Sequence, residues 1–233
     1  MISVFVMVYN EEHIMEFFID HYRQRFPGCP IFVYDNFSVD STAEIAKRNG
    51  CDVRLYDSGG EVNDEILRNH KNHCWRNSPT NWVLVCDADE LLEIDESQLR
   101  AEEANGTTIV KGTGYTMVNL VDDPDPCGID HGYRETYYDK SMLFDRRHIR
   151  DIDYDFGAHF SYPKGNVRYN SQSYRMLHYN TMGLEFALKK KNETMRRMSA
   201  LNRQLGLGLQ YFVSDDEVRA KYAEARRIAT KIL

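Results

Sequence analysis

The chain has 233 residues, 42% of them hydrophobic and 28% charged, which is the usage of a folded globular protein. At this length one large domain is expected, and no cross-links are needed to hold it folded. Its 29 Lys and Arg against 36 Asp and Glu leave a net charge of −7, which argues against duplex nucleic acid or an anionic membrane as the main partner, since both reward a basic face.

The apolar run Ile2–Val8 lacks a basic flank and a small-residue cleavage site, so it predicts a core strand rather than a signal peptide. Ile14, Phe17, Phe18 and Tyr22 fall at helical spacing and predict a helix from Glu11 to Phe26, stopped by Pro27-Gly28. Ile31–Tyr34 predicts a second strand. Asp40-Ser41-Thr42 opens a helix through Arg48, and Cys51–Tyr56 reads as a third strand. A helix over Glu61–Asn77 and a fourth strand, Trp82–Cys86, complete an alternation of strands and helices. That alternation predicts an α/β fold with a mostly parallel central sheet flanked by helices. Beyond it, Thr107–Asn119 predicts one or two strands and Asp122–Gly132 a loop. Ser141–Phe144 and Tyr174–Tyr179 predict short strands, and Leu184–Leu205 and Asp215–Leu233 helices. Ser214-Asp-Asp-Glu carries capping-box chemistry for the last of these. No run approaches the ~20 apolar residues of a membrane span, and the five cysteines show no C-x-x-C spacing. Free thiols and a cytoplasmic location are expected.

Polar groups follow all four predicted strands at the same end: Tyr9-Asn10-Glu11, Asp35-Asn36, Asp57-Ser58 and Asp87-Ala88-Asp89-Glu90. Open α/β sheets bind ligands outside the carboxyl ends of their strands. In extended chain Ala88 turns away, so Asp87 and Asp89 point into one space, where two anions repel unless a cation neutralises them. Mg²⁺ or Mn²⁺ suits carboxylate and phosphate oxygens alike, which points to a metal-bound diphosphate. Asp35 can accept a hydrogen bond from a base ring N–H, whereas Asp40 is expected to cap the following helix.

VMVYNEE, VYDNFSVDST and WVLVCDADE resemble the nucleotide-sugar-dependent glycosyltransferases of the GT-A fold, with the family-2-like group the nearest likeness. The resemblance covers residues 1–95 well. Further on, KNHCW, DIDYDFGAH and MLHYNTMGLEF are similar to a subgroup in which G-x-H and H-Y follow the D-x-D. It implies a GT-A-type, Rossmann-like domain over residues 1–233. Residues 1–95 would bind nucleotide, 96–205 would complete the acceptor and metal sites, and 206–233 would add a terminal helix. It further implies that Val8, Tyr9, Asn10 and Glu11 hold the nucleoside, that Asp35 pairs with a base, most often uracil, and that Asp87 and Ala88 lie by the ribose. Asp87 and Asp89 would bind the metal, with Asp89 the main ligand and His178 or His159 completing its shell. Arg68 and Lys71 are candidates for the diphosphate. The Ala-Arg-Asn that common members carry before the D-x-D strand has only Leu67-Arg68-Asn69 as a match, set farther away.

The expected activity is metal-dependent transfer of a sugar from a UDP-linked donor to a hydroxyl of a glycan or glycoconjugate. Inversion would require a carboxylate base. The loop offers Asp122, Asp123, Asp125 and Asp130; Asp130 ranks first and Glu135 follows. Lys140 could reach the diphosphate. Lys189-Lys190-Lys191 with Arg196-Arg197 is either a patch for phosphates or a solvated helix face, and Tyr115, Tyr133 and Tyr162 are candidates for stacking on sugar. The alternatives are an inactive nucleotide- or carbohydrate-binding module of the same fold and a sugar-phosphate nucleotidyltransferase. The acidic, glycine-free Tyr9-Asn10-Glu11-Glu12 argues against the second.

Overall fold

Side chains alternate between two faces along a strand, and the central strands here are apolar on both. In β1 (Ile2–Val8), Ile2, Val4, Val6 and Val8 enter one core, while Phe5 and Met7 enter a second on the opposite face. The first core is closed by α1 (Glu12–Arg25), which buries Ile14, Met15, Phe18, Ile19 and Tyr22. The computed structural model describes residues 1–121 and 125–233; the candidate bases Asp122 and Asp123 lie outside the described residues. The same alternation continues in β2 (Ile31–Asp35). After it come α2 (Thr42–Arg48), β3 (Asp52–Leu55) and α3 (Asp64–His73). Then follow β4 (Trp82–Asp87), which alternates between the same two cores, β5 (Glu90–Leu92), α4 (Glu96–Ala104) and the long β6 (Ile109–Val118).

The remainder comprises β7 (His131–Arg134), β8 (Ser141–Asp145), β9 (Ile149–Asp151), β10 (Lys164–Gly165) and β11 (Tyr174–Thr181). It ends with α5 (Leu184–Arg197), α6 (Ala200–Leu205), α7 (Asp215–Ile228) and β12 (Thr230–Lys231). The main sheet has ten strands, eight of them in the order β12-β7-β6-β8-β4-β1-β2-β3. β3, β2, β1 and β4 are mutually parallel, as expected. β8 then runs antiparallel to both β4 and β6, and β7 antiparallel to β6. β11 pairs parallel with β6 and antiparallel with β5, which carries Glu90. The sheet is therefore mixed, parallel in the first half and largely antiparallel in the second.

Several boundaries differ from expectation for local reasons. The third helix starts only at Asp64, because Val62 forms a β-bridge with Met198 and the Asn63 side chain caps Ile66 N. The predicted helix over 184–205 breaks in two: Met198 is extended to meet Val62, and Ser199 caps α6. α7 has its capping box from Ser214 and Glu217 but stops at Ile228. The chain beyond it forms β12 against β7 instead of more helix.

Candidate active site

The expected rim is present. Asn36 N donates to Val8 O at 2.9 Å, joining the ends of β1 and β2. Asn10 takes a left-handed backbone (φ 54°), donates through its N–H to Ser38 Oγ and accepts from Val39 N. Asp35 is buried and accepts from Ser38 N at 3.2 Å. Asp40 does structural work, as anticipated, accepting from Thr42 N and Glu12 N. Asp57 closes its own turn through Gly59 N.

At the end of β4 each carboxylate has a lysine. Lys71 Nζ donates to Asp87 Oδ2 at 2.7 Å, and Lys190 Nζ donates to Asp89 Oδ2 at 2.9 Å. Lys190 also lies 3.5 Å from Glu11, and buried Lys140 donates to buried Glu90. Burial alone would raise the Asp89 carboxyl, but Lys190 and then His178 hold it well below the usual carboxylate range. Burial pushes Glu11 up to about 7 against the opposing pull of Lys190. Lys190 rises well above its ordinary value, because Asp89 and Glu11 outweigh the burial that would lower it.

His178 reaches Asp89 through strand pairing. It faces Glu90 across β11 and β5, and Tyr179 N donates to Asp89 O at 2.7 Å. Its Nε2 is 3.6 Å from Asp89 Oδ2, and its Nδ1 is buried without a partner. Neighbouring octahedral donors ~2.1 Å from one ion stand ~3.0 Å apart, so a small approach of Asp89 and His178 would let both hold a divalent cation. Among the described residues no trio of His, Cys, Asp or Glu is gathered for a metal.

His159 packs on Tyr137: its ring stacks there at 3.9 Å, and its Nδ1 is 3.3 Å from Tyr137 O. Burial and then Lys140 lower its pKa to about 3, so it is a neutral ring. Arg68 lies over the Phe156 ring at 4.3 Å rather than on a carboxylate. Asp125 caps the turn at Cys127. Asp130 sits at the sheet edge, held low by its hydrogen bond with His131 and lying 3.7 Å from Lys231. The structure does not bring it to the β4 carboxylates. Glu135 caps the turn Thr136–Tyr138. Tyr115 packs against the core, Tyr133 is half-buried, and Tyr162 is exposed.

The basic run on α5 divides by helical position. Lys190, Glu193 and Arg197, spaced three and four apart, share a face. Glu193 accepts from Asn10, and Arg197 donates to Asn36 Oδ1 at 2.7 Å and lies over the Tyr9 ring. Lys191 turns instead to Asp215 at the start of α7, while Lys189 and Arg196 are exposed. The spacing within KKKNETMRR was the available signal for this face. Among the described residues no helix is long and apolar enough to cross a membrane.

Residues 3–117 match the family described as glycosyl transferase family 2. Protein RfbJ of Shigella flexneri is 34% identical over 62 residues, which is 27% of this chain and 48% of that protein. The chain thus spans about half the length of the curated relative it matches. Among solved structures, S. aureus TarS 1-349 in complex with UDP is 14% identical with a TM-score of 0.49, covering 95% of this chain and 70% of that one. Glucosyl-3-phosphoglycerate synthase from Mycobacterium tuberculosis, solved with Mn²⁺, UDP and glucosyl-3-phosphoglycerate, is 20% identical with a TM-score of 0.34, covering 48% of this chain and 43% of that one. The D-x-D and the strand ends around it fall within the matched segment, so residues 3–117, just under half of the chain, are similar to glycosyl transferase family 2.

Proposed function

We propose that the protein transfers a sugar from a nucleoside-diphosphate donor, with uridine as the base, to a hydroxyl of a glycan or glycoconjugate, aided by Mn²⁺ or Mg²⁺. The observation that carries this is the pairing of Asp89 with His178 at the carboxyl end of β4, beside Glu11 and the Asp87–Lys71 pair. Tyr9, Asn10, Glu11 and Asp35 would hold the nucleoside, with Asp35 accepting from the uracil ring N–H. Asp87 would face the ribose. Asp89 and His178 would hold the divalent ion, which when bound supplies a Lewis acid for the leaving diphosphate. Lys71 and Lys190, already drawn to these carboxylates, would add positive charge where the diphosphate departs. Asp87 and Asp89 are held ionised by neighbouring lysines against the effect of burial, so they accept cations at neutral pH. Glu135 shares the turn of Tyr137 and Tyr138 and is the candidate base for an inverting reaction.

One observation favours a second reading, in which the diphosphate binds without a metal: Lys71 and Lys190 each already neutralise one member of the D-x-D. Calorimetric titration of UDP in Mn²⁺ or in EDTA, on the wild type and on Asp89→Ala, separates the two. Binding that needs metal and is lost in Asp89→Ala supports the metal-dependent donor site. Equal binding in EDTA supports the lysine-held diphosphate. No binding of UDP in either medium removes the uridine assignment.

A further inference from the structure

An unbroken series of aromatic contacts leads away from the paired Asp89 and His178. Tyr138 meets the His178 ring edge-on at 4.0 Å, and His159 lies 5.5 Å from Tyr138. Tyr137 stacks on His159 at 3.9 Å, and Phe160 meets Tyr137 edge-on at 6.2 Å. The outer members are open to solvent: Tyr137 is 52% exposed and Phe160 58%. Burial of large rings is the ordinary outcome, so two adjacent rings left open beside a reactive centre ask for an occupant.

The backbone is shaped to hold them there. Gly157 has a left-handed φ of +71°, and a Cβ on it would lie 2.7 Å from the His159 ring. Asp153 and Ala158, neither of them glycine, also take positive φ, and such strain gathers at functional segments. Gly114 permits the other side of the arrangement, since a Cβ there would lie 2.6 Å from the Tyr138 backbone. Lys140 ties both pieces to the D-x-D by donating to Gly157 O at 3.2 Å and to Glu90.

We propose that Tyr137, His159 and Phe160 form an acceptor subsite that stacks on the C–H face of an uncharged pyranose ring. This deepens, and rests on, the glycosyl-transfer reading above. A pyranose presents weakly positive C–H groups on one face, which complement the negative face of an aromatic ring. The side of the site fits an acceptor. The nucleoside segments end β1 and β2 on one flank of β4, whereas Tyr137 follows β7 on the other, and the segment of His159 and Phe160, packed on α3 through Asn72 and Arg68, meets it there to form the ledge. The charge favours a neutral ring, because three basic residues of these segments are paired, and Arg68 is spent on the Phe156 ring. Arg134 meets Asp139 at 2.7 Å, Lys164 meets Asp153 at 2.9 Å, and Lys140 meets Glu90. The exposed Tyr162, considered from the sequence, is two residues from Phe160; Tyr115 and Tyr133 do not join the series.

The test is saturation-transfer NMR on the protein with UDP and Mg²⁺, which is diamagnetic, using methyl glycosides of glucose, mannose, galactose and N-acetylglucosamine, with glycerol phosphate as the anionic probe. At least one glycoside receives saturation on its ring C–H protons. Tyr137→Ala and Phe160→Ala each weaken that binding by about tenfold, the size of one aromatic stacking contact, and Tyr137→Phe retains it. Phe160 is exposed enough that its truncation leaves the core intact, which guards against a folding artefact. The proposal is overturned if no glycoside receives saturation, if both alanine variants bind as the wild type does, or if glycerol phosphate displaces the glycoside. UDP titration of the same samples reports the donor site separately, so a failed ledge and a failed donor assignment give different results.

Discussion

In β1 and β2 every residue is buried, and the alternate side chains of these strands and of β4 feed two cores. In β9, β10 and β12, by contrast, only Ile149 is buried, and each strand has two or three residues. The first 95 residues form a parallel frame whose strand ends all open on one rim. The later residues combine two long strands, β6 and β11, paired parallel, with short, mostly antiparallel pieces. The frame supplies Asp35, the Asp87–Lys71 pair, Asp89 and Glu90, while the later part brings Lys190 and His178 to Asp89 and Lys140 to Glu90.

The largest expected effect comes from cutting the buried link between these two regions. Lys140 and Glu90 are both buried and paired across the divide. Lys140→Met leaves Glu90 as an uncompensated buried charge and is expected to cost about 3–5 kcal/mol in urea unfolding. Adding Glu90→Gln should recover a large part, giving a coupling energy in the double-mutant cycle. A loss below about 1 kcal/mol for Lys140→Met would mean that the two regions do not depend on this pair.

Legibility follows the same divide. The four parallel strands and α1 were readable because apolar residues recur at fixed spacing, and the D-x-D because it follows an apolar run directly. His178 was named from its motif, yet its approach to Asp89 depends on β11 pairing with β5 across more than eighty residues, which no local pattern encodes. Glu90, lying beside the D-x-D, went unassigned because its partner Lys140 is fifty residues away. The break at Met198 was invisible for the same reason: its extended backbone is required by Val62. Helical spacing did encode the face of Lys190, Glu193 and Arg197, but a solvated helix face has the same spacing. His159 looked like a metal ligand as a residue type; only the fold shows its ring stacked on Tyr137.

A smaller effect tests whether the parallel frame governs acid stability. His21 on α1 is buried with Nε2 at 3.0 Å from Leu92 O, and burial, then Arg25, lower its pKa to about 3. The unfolded chain, with an ordinary histidine near 6.5, binds more protons than the folded chain between those two values. Stability is therefore full above pH 6.5 and falls with acidification, by about 1.4 kcal/mol per pH unit for each such histidine. His13, lowered to about 4, and His159, lowered to about 3, act in the same direction. His21→Gln should reduce the slope of unfolding free energy between pH 6 and pH 5 by about one histidine's worth. An unchanged slope would assign acid lability to His13 and His159 instead.

The smallest effect concerns a frame oxygen that two groups of the later region contest. Asp89 Oδ2 lies 2.9 Å from Lys190 Nζ on α5 and 3.6 Å from His178 Nε2 on β11. If Asp89 and His178 hold a divalent ion as proposed, an ion bound through Oδ2 competes with the ammonium, and Lys190 is expected to weaken metal binding in the absence of nucleotide. Lys190→Met removes the competitor and leaves the carboxylate beside the histidine. Mn²⁺ affinity without UDP should then rise by about tenfold, near 1.4 kcal/mol, as read from the loss of the free-ion EPR signal. With UDP present the gain should shrink or reverse, because the displaced ammonium is then beside the diphosphate and its charge contributes to holding it. A Mn²⁺ affinity that stays level or falls in Lys190→Met would identify Lys190 as support for the Asp89 carboxylate rather than a rival to the ion, and would shift weight to the metal-free reading of the donor site.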